Sequence, residues 1–287
     1  MTVAGIGTVS VINVVDVVSR LKVESFPDVL HTQPATPAYQ LSLRRAFSTF
    51  GLPERVTFDH GSAFFDNTTP SPFPTLLHLW LIALGIVVLF TRKRRPTDHA
   101  QVERTHQTMT GQALLGQRWE DQASLWAGLD QRREVLNEAL PMRVLGGQAP
   151  LLAYPEARHS GREYRVEWEA QLLEVKRVDE YLAQGEWFRQ TNCHGEFWLG
   201  QQRYNAGRKF AKVELALRYD AATREVVGRA AGREEEVRWA IKGLSVEELM
   251  GEAGAVAGLP AYQLALPLTA EAWRQAQYAQ AQVATAM

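Results

Sequence analysis

The sequence predicts an α/β protein: a mixed sheet flanked by helices, then a small all-β barrel, then a helical tail. Three observations predict it. Over residues 9–90, β-branched apolar runs alternate with helix-period stretches in the order strand, strand, helix, strand, helix, strand, which suits a mixed sheet covered by helices. Between 187 and 228, short strand-like runs are separated by turn residues, the pattern of a small barrel. Beyond 244 the chain turns Gly- and Ala/Gln-rich. The predicted divisions are a core at 1–155, a linker and helix at 156–185, the barrel at 186–243 and a partly flexible helical tail at 244–287.

In chain order, Val9–Val15 is almost unbroken in β-branched residues, as expected of a strand buried on both faces. Asp16–Arg20 turns the chain. Leu21–Phe26 alternates Leu21 and Val23 with Lys22 and Glu24, a half-exposed strand that Pro27 should stop. Thr36–Phe50 reads as an amphipathic helix, with Pro37 in its first turn and Gly51 just past its end. Val56–Phe58 is a short strand, and Asn67–Pro74 is a loop by composition. Leu76–Phe90 is the most apolar run, but it is shorter than the roughly 20 residues of a bilayer crossing. It divides into a buried helix Thr75–Leu84, a capping Gly85 and a strand Ile86–Phe90.

Asp98 and Gln101 have capping-box spacing, so a helix should begin near residue 98 or 99 and carry Glu103 in its first turns. Gln107 and Thr110 share the Glu103 face. Gln122–Ala139 is helical with Trp126, Leu129 and Leu136 on one face, and Leu145–Pro155 closes the core. Leu172–Gln184 is a further helix stopped by Gly185. The barrel strands are Trp187–Gln190, Glu196–Leu199, Arg203–Asn205, Val213–Tyr219 and Arg224–Gly228. Ser245 and Glu248 start a short helix, Gly251–Gly258 is a linker, and Thr269–Val283 is an Ala/Gln-rich helix.

The formal charge of −1 excludes a globally basic nucleic-acid binder, so any DNA contact must come from local patches. A single cysteine, Cys193, excludes an internal disulfide framework and a Cys-rich zinc site, and fits a reducing cytoplasm. No basic, cleavable leader opens the sequence, and a soluble cytoplasmic protein with no membrane span is expected.

The chemistry-bearing stretch is Val56-Thr57-Phe58-Asp59-His60-Gly61-Ser62, a strand that delivers a carboxylate at its tip. Taken alone, Asp59 reads as an acid that starts a turn. Downstream, Arg92-Lys93-Arg94-Arg95 leads into the Glu103 helix. Asp59-His60-Gly61-Ser62-Ala63-Phe64 and Ala100-Gln101-Val102-Glu103-Arg104 resemble, at most positions, the Asp-Asn-Gly-Ser-x-Phe and Asn-Gly-x-Val-Glu-Arg segments of the Asp-Asp-Glu integrases and transposases. The segment after 185 is similar to the β-barrel that follows the core in bacteriophage Mu-type and insertion-sequence transposases.

That resemblance implies a ribonuclease H-like core and DNA strand transfer by two-metal phosphoryl transfer. It implies Asp59 and Glu103 as catalytic and metal-binding acids, magnesium (or manganese) as cofactor, and homo-oligomers on DNA as the assembly. Arg92, Lys93, Arg94, Arg95, Arg104 and Gln107 become candidate DNA contacts. The family's remaining acid sits on the first core strand. Val14–Arg20 matches the second strand and its turn, where Asp16 does not bind metal, so the first acid is expected near Thr2 or before the chain begins. The first strand is thus expected to be largely missing and the chain, as written, to be inactive in strand transfer. A non-catalytic DNA-binding or partner-binding remnant is the alternative, and the trailing barrel is atypical of a hydrolytic nuclease.

Overall fold

A computed structural model describes residues 2–29, 33–92 and 100–251. The strands are β1 (Thr2–Val3), β2 (Gly7–Thr8), β3 (Ser10–Val15), β4 (Lys22–Asp28), β5 (Arg55–Phe58), β6 (Val87–Phe90), β7 (Glu186–Gln190), β8 (Glu196–Leu199), β9 (Gln202–Asn205), β10 (Glu214–Asp220), β11 (Glu225–Ala230) and β12 (Glu236–Ala240). The helices are α1 (Thr36–Phe50), α2 (Leu76–Ala83), α3 (Ala100–Met109), α4 (Gln122–Glu134), α5 (Pro150–Ala153), α6 (Glu169–Leu172), α7 (Val175–Leu182) and α8 (Val246–Met250). This is a mixed α/β protein with several sheets. No helix among the described residues is long and apolar enough to cross a membrane.

The chain forms two compact units, each made of segments distant in sequence. The described part of one is 2–52 with 100–166, and that of the other is 53–92 with 167–251.

In the first unit, β3 and β4 form an antiparallel hairpin with Ile12 opposite Phe26. α1 begins and ends as predicted, with Pro37 in its first turn and Gly51 capping Phe47. α1 and α4 cover β4, and α3 lies on β3. Both α3 and α4 finish in a single π-helical turn, Thr110–Leu114 and Val135–Ala139, so the predicted helix to Ala139 has its full extent. One core group joins Val3 and Val9 to Met109, Leu114, Leu125, Leu129 and Leu136. A second places Trp126 edge-on to Phe26, ring centroids 4.9 Å apart. β1 and β2 pair around a turn that has no counterpart among the predicted elements. Gly5 has φ +90°, and a Cβ there would lie 1.9 Å from the Trp119 carbonyl oxygen, so only glycine lets this turn abut residue 119.

Two strand expectations are corrected in this unit. β3 is mostly half-buried instead of buried on both faces, because β4 is its only strand partner among the described residues. β4 is not half-exposed: six of its seven residues are buried, and the strand passes through Pro27 to Asp28. Pro27 is tolerated because β4 has β3 as its sole neighbour among the described strands, leaving one ladder edge that needs no amide donor. The charged alternation that suggested exposure is instead neutralised inside. Glu24 Oε1 accepts from Arg45 at 2.6 Å, from Arg133 at 2.9 Å and from the Ser25 amide at 2.8 Å, and both guanidiniums also pair with Asp130.

In the second unit, β5 and β6 are a parallel pair joined through α2. Thr75, expected as the first helical residue, is the N-cap of α2, and Gly85, at φ +69°, follows the helix end before β6, as the sequence indicated. Leu77, Leu79, Trp80 and Leu81 are buried, and the Trp80 indole N–H donates to Glu169 at 2.8 Å. The helix expected over Leu172–Gln184 is α7, Val175–Leu182, and it starts late because Leu173 is extended and ends the preceding α6 at Leu172. The Pro-rich loop is tied down by Arg189 of β7, which donates to the Ser71 carbonyl at 2.7 Å and faces Asp66 at 3.8 Å.

The predicted barrel strands all form, but they do not close. They make an antiparallel sheet in the order β12-β11-β10-β7 and a separate β8-β9 hairpin. Trp239 of β12 packs on Phe197 and Tyr204 of the hairpin, so the apolar face is covered by packing instead of by a continuous ladder. β12 has no counterpart among the predicted strands; in it Val237 and Trp239 are half-buried and alternate with exposed Glu236 and Arg238. The predicted capping box of α8 is present, Ser245 with Glu248. The expected cap at Asp98 and the expected helix Thr269–Val283 lie outside the described residues.

Candidate functional site

Asp59 directly follows β5 and is exposed. Its Oδ1 accepts the Gly61 amide at 2.8 Å, and a Cβ on Gly61 would lie 2.9 Å from that same oxygen. Phe58 stacks on Phe64 with centroids 4.3 Å apart, fixing the turn behind the acid. Beside it, His60 contacts Phe65 and Phe90. His78 of α2 meets Phe90 and Tyr181, and burial lowers its pKa to about 4, so this imidazole stays neutral and apolar in behaviour.

Glu103 lies in the first turn of α3, where the helix dipole favours a carboxylate. It is exposed, as are Arg104, His106 and Gln107. His106 was not singled out from the sequence. Its Nδ1 lies 2.8 Å from Asn13 Nδ2, and Asn13 Oδ1 accepts the Ser25 hydroxyl at 2.7 Å. The residue as a whole is exposed, but the Nδ1 side of the ring sits against β3. Desolvation there lowers its pKa, with the Glu103 carboxylate pulling the other way. Only the strand partner 93 residues away reveals this cluster, and nothing local in the sequence signals it.

Asp59 belongs to one unit and Glu103 to the other. Asp16 is engaged in its own turn: its carboxylate accepts the Val18 amide at 3.1 Å, the Ser19 amide at 3.3 Å and the Ser19 hydroxyl at 2.5 Å. Magnesium seeks several hard oxygen ligands in octahedral array. Among the described residues no three His, Cys, Asp or Glu side chains come together to hold a metal ion. Asp59 and Glu103 are of the right chemical type to ligate magnesium, and the described residues bring no third such side chain into a group with either.

Of the basic candidates, Arg92 is exposed, while Lys93, Arg94 and Arg95 lie outside the described residues. In the sheet region Arg208 is exposed, Arg203 is 3.6 Å from Glu196 and Lys209 pairs with Glu235. Cys193 and His194 form a turn in which Asn192 Oδ1 accepts the His194 and Glu196 amides. No protein-family model matches the chain.

Proposed function

We propose that this chain binds DNA and derives from the Asp-Asp-Glu strand transferases, without itself completing strand transfer. The observation that carries the reading is the exposed α3 surface, Glu103, Arg104, His106 and Gln107, on the helix that follows the parallel β5-α2-β6 unit. The chain order of hairpin β3-β4, helix α1, parallel β5-α2-β6 and acid-bearing α3 supports a reading as a ribonuclease H-like core, with Asp59 directly after the first parallel strand. On this reading the chain acts as a homo-oligomer along duplex DNA. Arg104 and Gln107 contact the backbone from α3, and Arg92 with Lys93, Arg94 and Arg95 adds positive charge. Asp16, whose carboxylate is taken up by its turn, supplies no third acid.

Binding to duplex DNA is measured across a salt series, on the whole chain and on a variant with all four basic residues from Arg92 to Arg95 changed to Ala. The variant should bind more weakly, with the salt slope reduced by about 0.9 for each phosphate no longer neutralised. Unchanged affinity and slope would remove the loop from the interface. Joining of a labelled DNA end with magnesium should be absent. Robust joining that disappears in Asp16→Asn would overturn the non-catalytic reading.

A further inference from the structure

We propose that His106 is a further DNA-contacting residue, preset by Ser25 and Asn13 as a neutral hydrogen-bond donor that offers its Nε2–H to a phosphodiester oxygen. The inference rests on the DNA-binding reading of α3. Ser25 is fully buried, and its hydroxyl donates to Asn13 Oδ1 at 2.7 Å. With that oxygen occupied, the Asn13 NH₂ group faces His106 Nδ1 at 2.8 Å. An amide NH₂ only donates, so Nδ1 must accept, and the single ring proton of neutral imidazole resides on Nε2. Turning the Asn13 amide over would deprive the buried Ser25 hydroxyl of its acceptor. Protonating Nδ1 would set two N–H groups against each other, so the relay keeps the ring neutral even with Glu103 one turn away.

What faces out is therefore a fixed donor without net charge, on a helix where Glu103, Arg104 and Gln107 are exposed as well. Arg104 supplies the positive charge that offsets Glu103, and His106 adds direction to the contact. Because the acceptor is a charged phosphate oxygen, Ala at this position should weaken affinity about tenfold.

The test has two arms on the full chain. Long-range ¹H–¹⁵N correlation spectra of the His106 ring report the tautomer without DNA, and should show Nε2 protonated and Nδ1 bare. Titration with a short duplex oligonucleotide at fixed salt then compares the parent chain with His106→Ala, His106→Gln and His106→Asn. The Ala and Asn variants should weaken binding about tenfold, while Gln, whose amide N–H reaches the position of Nε2, should restore it. A merely structural role for His106 would give no such selective rescue. A protonated Nδ1 overturns the relay, and equal affinity of the parent and Ala chains overturns the contact. If the parent chain does not bind the duplex while its tautomer is as stated, it is the DNA reading that fails, and the contact falls with it.

Discussion

Glu24→Gln should be among the most destabilising single substitutions in the first unit. The Glu24 side chain is 1% exposed, between Arg133 at 0% and Arg45 at 3%, with Asp130 the least buried member at 17%. Two carboxylates and two guanidiniums balance to zero charge, and one carboxylate oxygen, Glu24 Oε1, takes three of the hydrogen bonds. Removing its charge leaves two buried cations facing one carboxylate. Breaking a buried pair in this way costs about 3–5 kcal/mol, because the remaining charge stays desolvated. That is a large part of the roughly 5–15 kcal/mol that stabilises a typical domain. The Arg45 guanidinium also lies 4.7 Å from the centroid of the Trp126 ring, so loosening it disturbs the core beside β4. Urea unfolding followed by circular dichroism gives the change in midpoint, with Asp130→Asn as a milder control because that side chain reaches solvent. A triple replacement of Glu24, Arg45 and Arg133 by apolar residues of similar volume should recover much of the stability, since the unpaired charge is then gone. A change below about 1 kcal/mol for Glu24→Gln would contradict this account, because it would place the group in the range of exposed ion pairs.

Stability should also fall on acidification through His78. Its folded pKa of about 4 lies below the ordinary 6.5, so the unfolded chain binds the proton more tightly between those values. Stability is then full above pH 6.5, declines as pH falls and levels off below about 4, a total of about 3 kcal/mol, and His78→Phe should flatten that limb in urea titrations at several pH values. Gly5→Ala should cost about 1–3 kcal/mol in the same assay, since its φ is +90° and the new methyl would collide with the Trp119 carbonyl. Asp121→Ala removes the side chain that caps α4 through the Ser124 amide at 2.8 Å, and stability should drop by about 1 kcal/mol. A neutral result at Asp121 would mean that Ser124 and water satisfy the helix end unaided.

Features whose physics is local could be read from the residues alone. The bounds of α1, the Gly85 end of α2, the cap of α8 and the short strands of the last sheet follow from Pro, Gly and Ser at helix ends and from period-two patterning, interactions spanning only a few residues. Asp59 and Glu103 were likewise legible as an acid after a strand and an acid opening a helix. The fate of the charges, by contrast, was settled by packing. Lys22 and Glu24 read as the solvent side of β4, and both are buried, because Asn137 bonds the backbone of Lys22 and two arginines from helices 21 and 109 residues away meet Glu24. The relay from Ser25 through Asn13 to His106 has the same origin. It also took the folded chain to unite 53–92 with 167–251 through contacts such as Arg189 to Ser71, and to leave the last strands as an open sheet and a hairpin. A buried charge is stable only where its counter-charge arrives, and residues distant in sequence meet only once the chain has packed.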